Sequence, residues 1–88
     1  MKNQVEPLSL DQPATYRIVV QGRLSQAWSG GFDGMAVSFE EPIGEPVRTA
    51  LTGTVTDQSA LYGLLSRIRD LGLPLLSVEY LGHSEGAI

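Results

Sequence analysis

The stretch from Thr54 to Tyr80 constrains this chain more than any other, because both ends of a helix are written into it. Leu61, Leu64, Leu65, Ile68 and Leu71 fall at i, i+3, i+4, i+7 and i+10, which is one face of an α-helix. Thr56 or Asp57 offers a side-chain oxygen to the unpaired N–H groups of the first turn. Gly72 suits the left-handed conformation that ends a helix, and Pro74 keeps the helix from resuming. With apolar strands on either side, the segment predicts a strand–helix–strand unit. That fixes architecture and leaves chemistry open.

The rest of the chain supplies three further strand signals. Tyr16 to Leu24 alternates, with Tyr16, Ile18, Val20 and Leu24 on one side and Arg17, Val19, Gln21 and Arg23 on the other. Gly22 within it implies a bulge or a close backbone approach. Met35 to Glu40 alternates again, placing Met35, Val37 and Phe39 together. Val47 to Val55 sets Val47, Thr49, Leu51 and Val55 against Arg48, Ala50, Thr52 and Thr54. The prolines and glycine of Glu41–Pro46 make a loop between neighbouring antiparallel strands. Leu75 to Leu81 is the last strand, with Leu76, Val78 and Tyr80 as one face. Between the first two strands, Ser25 to Phe32 carries Trp28 and Phe32 four residues apart. Gly30 and Gly31 interrupt that segment, so it predicts one or two helical turns or a compact loop.

The order is strand, short helix or loop, strand, strand, helix, strand. The expected fold is α+β, a ferredoxin-like split βαβ arrangement with an antiparallel four-stranded sheet and one good helix. The strands flanking that helix should be parallel and non-adjacent, with the first strand between them. Residues 1–14 read as a flexible arm, 15–82 as a single domain and 83–88 as a flexible tail.

Eighty-eight residues suffice for one domain. The absence of cysteine excludes a disulfide, a thiolate zinc site and a thiol nucleophile. Ten acidic residues against six basic ones give a net charge of −4, which opposes nucleic-acid binding. No apolar run reaches the roughly 18 residues of a membrane span, and Met1 to Thr15 lacks a signal-peptide core, so a cytoplasmic location is expected.

The run from Asp57 to Val78 follows the pattern DQxALxGLLxxIRDLGLxLxSV. In this it resembles a recurring stretch of small, uncharacterised bacterial proteins, and the mid-chain Trp28 is similar to theirs. The resemblance implies no activity. Tyr62 departs from it, standing where such proteins often carry His.

No residue set specifies a catalytic centre, a metal site or a cofactor site. His83 is the sole histidine and reads as a solvated tail residue. Glu40, Glu41 and Glu45 cluster on a convex loop, where paired carboxylates lack the cleft that acid/base work needs. Arg17, Arg23 and Arg48 lie opposite the main apolar set and read as cross-strand partners of Glu40 or Glu79. Gly30-Gly31 and Asp33-Gly34 match no phosphate-binding fingerprint and read as turns.

The leading functional expectation is a non-catalytic module that self-associates as a homodimer, sheet to sheet or edge to edge. Its motive is a second sheet face too apolar for open water, with Arg17, Val19, Gln21, Arg48, Ala50 and Thr52 as candidate interface. Leu75 and Leu81 are further apolar contributors to that side. The alternative is a small-ligand regulatory domain with its site at the dimer interface, for which Trp28, Phe32 and Tyr62 are the candidate pocket. A dimeric α/β-barrel enzyme ranks third. An RNA-binding sheet ranks last, because the first strand offers no exposed aromatics.

Overall fold

The helix signals translate directly into structure. In a computed structural model that describes residues 9–24 and 35–83, Gln58–Leu71 forms α1. Of the two candidate caps, Asp57 does the capping: its Oδ1 accepts the Ala60 N–H at 2.8 Å. At the other end Gly72 sits at φ 80°. Its N–H donates to the Arg69 carbonyl and the Leu73 N–H to that of Ile68, the paired bonds of a Schellman motif. Arg69 in the last turn complements the negative end of the helix dipole.

The alternating segments become β1 (Ala14–Gln21), β2 (Ala36–Glu40), β3 (Arg48–Val55) and β4 (Leu75–His83). They form one sheet in the order β2-β3-β1-β4, and every neighbouring pair is antiparallel. β3 and β4 therefore run the same way on either side of β1, joined by α1. Among the described residues α1 is the single helix. The short helix or loop expected over 25–32 lies outside them.

Alternation decides which side chains meet α1. Tyr16, Ile18 and Val20 of β1 lie beside Gly53, Leu51 and Thr49 of β3, and Leu61, Leu64 and Ile68 of α1 join them in the core. Ile18, Val20, Leu51 and Ile68 are fully buried, each contributing about 1.5–3 kcal/mol relative to exposure. The Tyr16 hydroxyl keeps a partner by accepting from Gln58 Nε2. Met35 lies directly over Gly53, where a Cβ would come within 2.9 Å of its sulfur.

Several details differ from the sequence reading. β1 stops at Gln21 rather than Leu24, because Gly22 turns out of the strand at φ 105°. Gly22 does make the expected close approach, since a Cβ there would stand 3.2 Å from Leu73. β4 continues past Leu81 to His83, because Gly82 and His83 stay in register with Thr15 and Ala14. In place of Leu76, Leu75 sits opposite Val20, since the β1–β4 register shifts between Val19 and Val20. Finally, the last residues of the arm are tied down. Ser9–Gln12 form a turn, and the Leu10 carbonyl accepts the Gln58 N–H at 3.0 Å, relieving an unpaired donor at the helix start.

Candidate interaction surface

On the sheet side away from α1, polar side chains cover small ones. Arg17 of β1 reaches Glu40 of β2 at 2.6 Å, across the intervening β3. Arg17 is opposite Thr52 and Glu40 opposite Arg48, so the bridge passes over Ala50, midway between them. Ala50 and its β1 neighbour Val19 are buried. Arg48 pairs with Glu45 at 2.6 Å, and Arg23 pairs with Glu41 while lying 4.4 Å above the Phe39 ring. Each exposed pair contributes a few tenths of a kcal/mol to about 1 kcal/mol, and together they occupy the three acidic residues of the β2–β3 loop region.

β4 presents a different surface. It is an edge strand whose one neighbour among the described strands is β1. Leu75, Leu76, Val78, Tyr80 and Leu81 are all 40–48% exposed. Val78 and Tyr80 lie on the α1 side, opposite Ile18 and Tyr16, and the two tyrosine rings are tilted against each other at 5.8 Å. Irregularities at both ends of the β1–β4 pairing add Leu76 and Leu81 to the exposed set. These five side chains expose on the order of 400 Å² in one stretch, a size at which surface patches are often functional. Where β4 leaves the helix, a groove of about 370 Å³ opens between Leu65, Ile68, Arg69, Leu73, Pro74 and Leu75.

The residues singled out from sequence are distributed unevenly around these features. Val19 and Ala50 are buried within the chain, Arg17 and Arg48 are engaged in ion pairs, Thr52 is half-buried and Gln21 exposed. Trp28 and Phe32 lie outside the described residues. Tyr62 is exposed on α1 and does not line the groove. His83 belongs by its backbone to β4, opposite Ala14, and not to a tail. The apolar strand itself was visible as a signal: Leu75, Leu76, Val78, Tyr80 and Leu81 occupy both parities of one strand, which reads as burial on two sides. Its position at the sheet margin follows from the expected order, with the first strand between the third and the fourth and the second beside the third. Among the described residues, no group of three His, Cys, Asp or Glu side chains could hold a metal ion, and no helix is long and apolar enough to cross a membrane.

Fold and surface together define a small α+β domain, a helix laid on a four-stranded antiparallel sheet with an apolar strand at its margin. The chain belongs to a family described as a domain of unknown function, DUF8691, whose model matches residues 15–79 and so spans most of the sheet and the whole of α1. No curated protein and no solved structure matches the chain.

Proposed function

We propose that this domain is a non-catalytic interaction module that binds a second copy of itself through β4. The observation that carries the reading is the exposure of five large apolar side chains on β4, which has one neighbour among the described strands. Of the two geometries expected from sequence, sheet to sheet and edge to edge, this favours the second. On the opposite sheet face Val19 and Ala50 are already buried within the chain. We read the fold as the ferredoxin-like split βαβ arrangement. The strand order and the β3–α1–β4 crossover support it.

A second reading, a small-ligand regulatory domain, draws support from the groove at the end of α1. Leu75 lines that groove and also belongs to the exposed margin, so a ligand there would touch the interface. Arg69 is the charged group in an otherwise apolar lining, which suits binding better than bond-breaking chemistry.

Light scattering coupled to size exclusion tests the main reading. An edge interface lies at the small end of the specific range, so protein should be loaded from about 10 to 500 µM. The wild-type chain should approach a dimer as concentration rises. Leu76→Lys with Leu81→Lys should remain monomeric with an unchanged melting temperature, because charges along an edge block pairing. A wild-type chain that stays monomeric throughout refutes the reading.

A further inference from the structure

We infer that the groove at the end of α1 binds a free medium-chain carboxylic acid, its carboxylate on Arg69 and its alkyl chain along the apolar walls. The inference rests on the ligand-groove reading given above and names the ligand's chemical class.

The way the helix stops builds this groove. Leu65, Ile68, Arg69 and Gly72 fall at i, i+3, i+4 and i+7, so one stripe of α1 faces it. Gly72 reverses the chain, and Leu73, Pro74 and Leu75 form the opposite wall. A Cβ at Gly72 would meet nothing within 4 Å, so the space beside the turn is open. A volume of about 370 Å³ lies at the small end of ligand sites, which span roughly 300–1,000 Å³, and admits a short chain rather than a large cofactor.

The polar groups of the lining select the head group. The Gly72 N–H donates to the Arg69 carbonyl and the Leu73 N–H to that of Ile68, while Pro74 has no N–H to give. Gly72 to Pro74 therefore offer a ligand no free amide, and the charged donor of the lining is the Arg69 guanidinium. Arginine donates and does not accept, so its match is an acceptor, and its charge favours an anion. Asp70 engages it through one nitrogen at 3.5 Å, with both side chains at least 70% exposed. Strong charge-assisted bonds are about 2.7–2.9 Å long, so a ligand carboxylate taking the guanidinium fork with two parallel bonds would displace Asp70 readily. The bonds that close the turn also occupy the Ile68 and Arg69 carbonyls, which would otherwise present the negative end of the helix to the ligand. One guanidinium suits one negative charge, and the chain's net charge of −4 opposes a phosphate ester. The walls supply the remaining affinity, since each buried CH₂ is worth about fourfold in binding.

Titration of the ¹⁵N-labelled chain with sodium octanoate, followed by amide NMR, tests the assignment. Butyrate, octanol and octylamine serve as matched probes at constant pH and ionic strength. Octanoate should shift the amides of residues 65–75 and saturate near 1 mM, about tenfold tighter than butyrate or octanol, and octylamine should not bind. Arg69→Gln should weaken octanoate about tenfold, with the spectrum itself showing that the chain stays folded. Asp70→Asn should tighten it a few-fold by releasing the guanidinium. Equal binding of octanol and octanoate, or an Arg69→Gln chain that binds as wild type does, overturns the carboxylate assignment and leaves an apolar ligand groove standing. No shift at these amides with any probe up to about 10 mM overturns the ligand groove as well. Self-association through β4 is read separately by light scattering, so its failure is distinct from either result.

Discussion

Thr49 is the one polar side chain that is completely buried among the described residues, and replacing it with valine tests how β1 is tied off. Its hydroxyl donates to the Gly22 carbonyl at 2.6 Å and accepts the Leu24 N–H at 2.9 Å. Two backbone groups that have just left the ladder at Gln21 are satisfied by one side chain from the neighbouring strand. Thr49→Val keeps volume and β-branching and removes only the hydroxyl. The loss comprises two hydrogen bonds at about 0.5–1.5 kcal/mol each, and the stranded Leu24 N–H adds desolvation at a 3%-exposed residue. A total near 3 kcal/mol is expected, from a stability of about 4–13 kcal/mol for a chain this long. In urea, with a slope of about 1–1.5 kcal/mol per molar, the unfolding midpoint should fall by about 2–3 M. Thr49→Ser retains the hydroxyl and loses a methyl group, so it should fall by roughly 1 M or less. If Thr49→Val unfolds within 0.5 M of wild type, the Thr49 bonds do not secure the Gly22–Leu24 segment and the reasoning fails.

Two further substitutions probe local features independently. Gly63 lies on the exposed side of α1, and a Cβ there would meet nothing within 4 Å, so Gly63→Ala should stabilise by about 1 kcal/mol and raise the melting temperature by about 4–8 °C, as read by calorimetry. Ala50 lies beneath the Arg17–Glu40 bridge, so Ala50→Leu should force the pair apart and destabilise by about 1–3 kcal/mol in urea, whereas Ala50→Ser should be close to neutral; equal stability of all three chains would count against the bridge over Ala50.

What the sequence revealed was local. The 3.6-residue spacing of Leu61, Leu64 and Ile68, the cap at Asp57 and the stop at Gly72 each depend on residues within a turn or two. The sides of β1 and β3 were legible because alternation survives along their whole length. The faces of β4 were not, because its irregularities arise from pairing with a strand some sixty residues away. Counting by twos put Leu76 with Val78, while the register shift puts Leu75 opposite Val20. Val19 and Ala50 read as an uncovered apolar face, and their burial within the chain depends on contacts that alternation along β1 and β3 does not encode. Thr49 could be assigned to the core side, yet nothing within β3 announces that its hydroxyl serves Gly22 and Leu24.

The exposed margin follows from how α1 ends. Gly72 turns the chain and Leu73 packs on Gly22, whose missing side chain leaves the room. The Pro74 carbonyl then accepts the Gln21 N–H at 2.9 Å. These contacts fix where β4 begins relative to β1, and they deliver Leu75 opposite Val20. From there β4 takes three residues to reach Val78 while β1 takes two to reach Ile18, so one residue must lie outside the pairing. That residue is Leu76. A helix stop and a glycine contact thus set the position of an apolar side chain on the strand that follows. Shifting the helix exit by one residue would change which of Leu75 and Leu76 opposes Val20.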